Sequence, residues 1–418
     1  MWGCFKQIVQ CLVFSALISP ALVLAADDLA AQPQSEQSKP LTEQPKTMAE
    51  QARPLAEKAK PQAEQAKPQP TQPKPHLAQL KPQSESAKPQ SGQPTIIIKG
   101  GGSQPIAPLY VVWGKSYETR YRDVSLTYKI SNVVKGIEDL ENNKIDFAGS
   151  EIPLKADELK KKGLFQFPTA LISFSPVANI PGIHSGELRL DDATLAGIFL
   201  GNIKKWNDPR LVELNPKLPL PDVEINTVHR NSGNTITYVL SNYLNKVSQE
   251  WATKVGVGST LKWPVGQEVG NGTNEAMMEY IKNTPYSIGF TMLSLVLKNN
   301  LNLVKMKNRE GKFVSATPDG VMAASSNAKW NVDDGFYNVL TNQTGPDTWP
   351  FVMTGYATIK LDPANPQNTK TLLHFFESGL KRGQIEVVSA DLIPLPGSVA
   401  DIIRAALKQQ HIGGQKGK

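Results

Sequence analysis

The chain has 418 residues, two cysteines, five histidines and a formal net charge of +7 at pH 7. Its length allows two or three domains. The only cysteines are Cys4 and Cys11, which excludes a disulfide scaffold and a cysteine-based zinc site. The histidines lack the spacing of metal ligands, and the basic residues form no dense block of the kind that binds nucleic acid. We therefore expect no metal, no cofactor and no nucleic-acid partner.

The first 26 residues have the pattern of a secretory signal peptide. Lys6 precedes an apolar run from Val9 to Leu24, and small residues follow at Ala25 and Ala26. The run is shorter than the roughly 20 residues that a membrane-spanning helix needs. We expect cleavage near residue 26 and export from the cytoplasm, with a retained N-terminal anchor as the alternative.

Residues 27–94 contain a seven-residue repeat close to Glu-Gln-Ala-Lys-Pro-Gln-Ala. Basic residues recur every seven positions from Lys39 to Lys88, and a proline follows most of them. The repeat lacks the pair of apolar positions that drives a coiled coil, and each proline would cost a continuous helix about 3 kcal/mol. We predict a disordered, partly polyproline spacer. It is either a passive linker or a stalk that contacts the cell envelope.

Beyond the spacer, β-branched runs alternate with apolar residues at helical spacing. The predicted strands are 95–99, 124–128, 145–148, 222–228 and 356–359, and the predicted helices are 106–117, 134–140, 239–247, 372–380 and 399–407. The glycines at 100–102 should end the first strand. Strand-helix alternation favours a parallel α/β sheet, and about 320 residues exceed one comfortable core, which indicates two lobes.

Small polar residues fill the loops after several predicted strands. These loops are 100–104, 131–132, 149–151 and 230–235. Ligands of parallel sheets bind at the carboxyl ends of the strands, where helix N-termini favour anions. Each loop alone is better explained as a turn. Arg230 is more informative, because a guanidinium between a strand and a polar turn can hold an oxyanion at two points.

Several segments of the globular part resemble one known family. They include APLYVVW at 107–113, IDFAGSEIPL at 145–154, IFLGNIKKWND at 198–208 and TPYSIGF at 284–290, with further segments at 163–169, 179–182 and 256–266. These segments are similar to the periplasmic phosphate-binding proteins of phosphate-specific ABC transporters, the PstS-like type II periplasmic binding proteins. The resemblance extends over nearly all of residues 96–418 and does not include the spacer.

The resemblance implies an α/β, two-lobed periplasmic binding protein fold of type II, with two crossovers between the lobes and the disordered spacer before it. One lobe would comprise residues 96–172 plus 353–418, and the other residues 173–352. The ligand would lie between lobes that close by a hinge. The implied protein is a monomer in the periplasm, with attachment to the surface or envelope as the lesser alternative.

The resemblance also implies a set of ligand-binding residues. They are Gln104, Ser131, Glu151, Arg230, Asn234 and Thr235. Glu151 stands where the family has an aspartate that accepts the proton of the phosphate, and its extra methylene should leave the carboxylate less constrained. Ser232 stands where the family has an aspartate that pairs with the arginine.

These departures from the family pattern bear on affinity. The family also has a Thr-Phe pair where this chain has Gln104-Pro105 and a Ser-Gly-Thr run where it has Asn234-Thr235-Ile236, so hydroxyl donors are lost or moved. Losing two hydrogen bonds to a charged ligand would cost about 3–6 kcal/mol. Gln104, Asn234 and Thr235 could replace the lost donors, because amides and hydroxyls also donate.

Two functions therefore stay open. The first is a solute-binding protein that captures inorganic phosphate or a related oxyanion and delivers it to the permease subunits of an ABC transporter in the inner membrane. The second is a divergent binding-protein fold that acts as a cell-envelope or surface module with little or no phosphate binding. An enzyme such as a phosphoesterase is disfavoured, because the sequence has no visible metal cluster, paired catalytic carboxylates or Ser-His-Asp order, and we assign no catalytic residue.

Overall fold

The structure is a computed structural model, which describes residues 95–230, 233–269 and 273–410. The chain divides into two units, Met1–Glu85 and Ser86–Lys418, and all the described residues belong to the second. The predicted signal peptide, the predicted spacer and two residues of the turn after Arg230, Asn231 and Ser232, lie outside the described residues.

Eleven strands and thirteen helices occur within the described residues. The strands are β1 (Ile96–Gly102), β2 (Val124–Ile130), β3 (Phe147–Ser150), β4 (Leu164–Asn179), β5 (Arg189–Leu190), β6 (Asn226–Arg230), β7 (Gln267–Val269), β8 (Ser287–Met292), β9 (Lys305–Lys307), β10 (Phe313–Val314) and β11 (Val352–Lys360). The helices are α1 (Ala107–Arg120), α2 (Val133–Glu141), α3 (Ala156–Lys162), α4 (Asp192–Leu200), α5 (Pro209–Leu214), α6 (Thr235–Val247), α7 (Gln249–Lys254), α8 (Asn274–Asn283), α9 (Leu293–Lys298), α10 (Pro318–Ser326), α11 (Pro366–Arg382), α12 (Gln384–Ser389) and α13 (Gly397–Gln409).

Eight strands form one mixed sheet in the order β2-β1-β3-β11-β4-β8-β6-β7. β1 pairs in parallel with β2 and β3, as the strand-helix alternation predicted. β6 likewise pairs in parallel with β7 and β8. The three central pairings, β3 with β11, β11 with β4 and β4 with β8, are antiparallel. The sheet is therefore two parallel halves joined through antiparallel strands, which is the basis of the two lobes.

β4 is the strand that connects the two halves. It pairs with β11 up to Ser173 and with β8 from Phe174 onward. All its residues are buried except the last, Asn179, and β11 is buried up to Ile359. β4 was not predicted from the sequence, because a strand enclosed on both faces shows no apolar-polar alternation. The predicted lobe boundaries, near residues 172 and 353, stay a prediction.

Several predicted strand boundaries were wrong: the strand predicted at 145–148 is Phe147–Ser150, and the strand predicted at 356–359 begins at Val352. The glycines at 100–102 continue β1, because its neighbours leave no room for side chains: a Cβ on Gly100 would lie 2.3 Å from the Phe147 ring. Gly102 also has φ of +125°, a conformation that only glycine adopts readily. The strand predicted at 222–228 begins at Asn226, since the residues before it bond to the loop at 204–205 instead.

The five predicted helices are all present, and each is longer than the range predicted from its apolar residues. α1 buries Tyr110 and Trp113 against the sheet and the C-terminal helices. The Tyr110 ring packs edge-on against Phe147 and Phe376, with centroid separations of 5.1 and 6.0 Å. Within 95–230, 233–269 and 273–410, no helix combines the length and the apolar character that crossing a bilayer requires.

Candidate functional site

A cleft of about 790 Å³ opens between the two halves of the sheet. Its walls are the loops after β1, β2 and β6 and the first turns of α2, α6 and α8. Five of the six predicted site residues line it, namely Gln104, Ser131, Arg230, Asn234 and Thr235. The sixth, Glu151, lies behind the wall and bonds to two residues that line it. The structure thus brings the six predicted residues to one place.

Glu151 is fully buried and contacts both halves of the molecule. Ser103, just after β1, donates its hydroxyl to Oε2 of Glu151 at 2.5 Å. Thr235, the first residue of α6, donates to the same oxygen at 3.4 Å. The other carboxyl oxygen, Oε1, has no hydrogen-bond partner among the described residues. One oxygen of the carboxyl therefore joins the two walls, and the other is still able to bind a donor.

Burial raises the pKa of Glu151 to about 7, because a carboxylate removed from water is disfavoured relative to its neutral form. The hydrogen bonds from Ser103 and Thr235 and the backbone N–H groups of Glu151 and Ile106 act in the opposite direction and limit the rise. Glu151 therefore changes charge near neutral pH. The expectation that its extra methylene leaves the carboxylate loosely held was wrong, because burial and the bond to Ser103 hold the side chain in place.

Arg230 ends β6 on the opposite wall and is half-buried. Its Nη1 donates to Oδ1 of Asn274. Its Nε is buried and has no hydrogen-bond partner within the part of the chain that the structure describes. The pKa of Arg230 is lowered, because burial disfavours the charged guanidinium, and the negative charge of Glu275 offsets part of this effect. A buried cationic donor without a partner is costly, so an anion in the cleft would stabilise this guanidinium.

Three helices begin at the cleft with polar residues that cap them. Asn132 caps α2, Asn234 caps α6 and Thr273 caps α8, and the side-chain oxygen of each accepts a backbone N–H of the first turn. All three caps line the cleft. Helix N-termini carry partial positive charge, so together with Arg230 they make this cleft favourable for an anion.

Of the side chains expected to replace lost donors, Thr235 already uses its hydroxyl, whereas Asn234 uses its acceptor oxygen in the bond to Thr237. The Oδ1 of Asn234 accepts the N–H of Thr237, and the Thr235 hydroxyl donates to Glu151. The Ser131 hydroxyl donates to the carbonyl of Asn132 at 3.3 Å. Gln104 is exposed at the cleft wall. A bound oxyanion would therefore have to exchange some of these bonds for its own.

Sequence reasoning missed Ser103, Asn274 and Glu275. Ser103 lay inside a loop already singled out, but only its contact with Glu151 gives it a role. Asn274 and Glu275 follow a Gly-Asn-Gly-Thr run at 270–273, which is a signal for a loop before a helix. That signal could have added the loop to the candidates, although not its contact with Arg230, 44 positions earlier.

No group of three histidines, cysteines, aspartates or glutamates suited to hold a metal ion occurs in the described ranges.

Comparison with known proteins decides the family. The chain matches a family model described as a PBP superfamily domain over residues 83–377. It is 36% identical over 313 residues to the phosphate-binding protein PstS of Haemophilus influenzae, an alignment that covers 75% of this chain and 93% of the relative. The chain belongs to the PstS family.

A second member of the PstS family, from Xylella fastidiosa, is 36% identical over 311 residues, covering 74% of this chain and 85% of that one. The solved structure of a phosphate-binding protein from Stenotrophomonas maltophilia matches with a TM-score of 0.53 at 15% identity, covering 74% of this chain and 93% of that one. At this identity the match concerns the fold alone. Together these findings confirm the resemblance and the two-lobed fold, while the roles of the six site residues stay predictions.

Proposed function

We propose that this chain is a periplasmic solute-binding protein that captures phosphate between its two lobes and delivers it to the permease of an ABC transporter. Membership of the PstS family supports the ligand class, since the relatives are named phosphate-binding proteins. The observation that carries the proposal is the pair formed by Arg230, whose buried Nε at the cleft has no partner among the described residues, and Glu151, whose buried Oε1 behind the cleft wall likewise has none.

The two side chains suit the two chemical features of hydrogen phosphate. The guanidinium of Arg230 and the helix N-termini offset the negative charge of the oxygens. The ionised carboxylate of Glu151 accepts the proton that phosphate carries and fully ionised sulfate lacks. A site with only cationic donors would not separate the two anions, whereas an acceptor facing an unprotonated oxyanion repels it.

Lobe closure supplies the remaining contacts in this proposal. β4 and β11 carry the chain between the lobes, and hinge closure around a ligand is a common motion of two-lobed binding proteins. Closure would bring the first turns of α6 and α8 toward the loops that hold Ser103 and Ser131. The hydroxyl of Thr235 would then transfer from Glu151 to the ligand or bond to both.

Calorimetric titration of the purified protein with phosphate tests the proposal. Arg230→Ala should lose about tenfold to 150-fold in affinity, the equivalent of about 1.5–3 kcal/mol for a hydrogen bond to a charged group. Arg210→Ala is the matched control, because Arg210 is about half exposed, pairs with Asp208 and does not line the cleft. It should bind like wild type.

Equal affinity in Arg230→Ala and Arg210→Ala would remove Arg230 from the site. Absence of phosphate binding by the wild type would favour the alternative, an envelope or surface module. Fractionation of cells that produce the full chain tests the proposed location, which requires recovery in the periplasmic fraction.

A further inference from the structure

Arg230 has a hydrogen-bond partner on α8 that was not predicted from the sequence. Nη1 of Arg230 donates to Oδ1 of Asn274, the first residue of α8. The amide nitrogen of Asn274 lies 3.6 Å from the sulfur of Met292, at the end of β8. Because the nitrogen of the amide points to the sulfur, its oxygen points to the guanidinium. Asn274 is thus held from both sides in the orientation that receives Arg230.

The contact leaves one edge of the guanidinium for a ligand. A guanidinium grips an oxyanion best with two parallel N–H donors. Asn274 occupies Nη1, so the edge formed by Nε and Nη2 remains, and Nε is buried without a partner among the residues described. The bond to Asn274 therefore fixes the plane of the guanidinium while preserving a two-point binding edge.

Glu275 acts on the same arginine through its charge. It follows Asn274 on α8, lines the cleft and is exposed. Its negative charge stabilises the cationic form of Arg230 and, equally, repels an anion in the cleft. Because Glu275 is exposed, both effects weaken as salt screens the charge.

We propose that Asn274 is the positioning residue for Arg230 and that Glu275 attenuates the positive field of the cleft. The pair replaces the aspartate that the family places beside the arginine, where this chain has Ser232. A neutral amide orients the guanidinium without cancelling its charge, whereas a carboxylate would do both. The inference rests on the proposed function for its effect on phosphate, but not for the orientation of Arg230.

The orientation is measured first, without ligand. The Arg230 Nε–Hε NMR signal of the full chain, identified by its loss in Arg230→Lys, should report an ordered side chain in wild type. Asn274→Ala should make it mobile. Asn274→Asp keeps the acceptor oxygen and should keep the side chain ordered. Equal order in wild type and Asn274→Ala would overturn the positioning role, whether or not phosphate binds.

Phosphate titration then separates position from charge. Asn274→Ala should weaken binding about tenfold because the guanidinium is no longer held. Asn274→Asp should also weaken binding, by several-fold, although Arg230 stays ordered, because a carboxylate offsets its charge. A merely structural role for Asn274 would not separate order from affinity in this way, so an Asn274→Asp protein with wild-type affinity would contradict the proposal.

Glu275→Gln should bind phosphate several-fold more tightly than wild type at low ionic strength, with the gain lost at high salt. Glu279→Gln is the matched control, one turn further along α8 and outside the cleft lining. If the two variants bind alike, Glu275 does not attenuate the field. If wild type fails to bind phosphate, the proposed function fails, and the NMR measurement still decides the role of Asn274.

Discussion

The two walls of the cleft hold opposite charges in different ways. Behind one wall, Glu151 is fully buried and bonded by hydroxyls, and burial raises the pKa of its carboxyl to about 7. On the other wall, Arg230 is half-buried, faces the cleft and is bonded by a neutral amide. The arginine stays charged because guanidinium groups hardly lose their proton in proteins. The charge of Glu151 therefore changes with pH, whereas the charge of Arg230 stays fixed and its attraction for an anion weakens as salt screens it.

The largest effect that tests this comparison is on stability. The pKa of Glu151 is raised on folding, so the folded protein binds the proton more tightly than the unfolded chain and loses stability as pH rises from about 4.5 to 7. Glu151→Gln lacks this loss. The difference in unfolding free energy between the variant and wild type should increase by about 2–3 kcal/mol between pH 5 and pH 8.

Denaturant unfolding at several pH values measures this difference, with Glu138→Gln as control, because Glu138 is exposed at the cleft wall. The control should show no comparable change with pH. A flat difference for Glu151→Gln would mean that Glu151 titrates normally and that the contrast between the walls is wrong.

A smaller effect separates the two hydroxyls on Glu151. Ser103 and Thr235 donate to the same oxygen, at 2.5 and 3.4 Å. Ser103→Ala should therefore destabilise the protein at pH 8 by about 1–2 kcal/mol, and Thr235→Val by roughly half as much. Both should raise the pKa of Glu151 further, Ser103→Ala more so. Denaturant unfolding at pH 8 and at pH 5 measures the two destabilisations. Equal destabilisation by the two variants would indicate that the hydrogen bond from Ser103 is not stronger than the one from Thr235.

Discrimination of phosphate from sulfate should weaken as pH falls, because Glu151 becomes protonated. Below pH 7, protonated Glu151 can donate to sulfate instead of repelling it. We expect sulfate to compete with bound phosphate roughly three- to tenfold better at pH 5.5 than at pH 8, at fixed ionic strength. In Glu151→Gln this dependence should become weaker, leaving only the part that comes from the ionisation of phosphate itself. If sulfate competes equally well at both pH values in the wild type, Glu151 does not accept the proton of the bound phosphate.

The smallest effect is expected outside both walls. Removing residues 27–94 should leave the melting temperature of the remaining protein unchanged, since the repeat has few large apolar side chains to bury. A clear fall in melting temperature on calorimetry would indicate that the repeat contributes to folding.

Local pattern was sufficient for much of the fold. The apolar spacing of α1 and the β-branched runs of β1 and β2 predicted these elements and their parallel pairing, because periodicity reports which face is buried. β4 was missed because it is buried on both faces and contains Pro168 and Pro176, residues that argue against a central strand.

Prediction of the site was limited for a different reason. Loops at the ends of parallel strands converge, so Ser131, Glu151 and Arg230 could be placed together from topology and resemblance. Burial of Glu151 and the contact of Arg230 with Asn274 depend on how distant segments pack. No local spacing encodes either of them.

The division of β4 between two partners has a consequence for how this fold can be altered. Each half of the sheet takes part of its edge from a strand that continues into the other half. Each segment of β4 keeps its ladder partner within its own half, so the halves are joined at this strand by the unbroken backbone between Ser173 and Phe174 and not by shared ladder bonds. Inserting flexible residues between Ser173 and Phe174 should therefore disturb the relation between the two walls of the cleft while leaving both ladders paired.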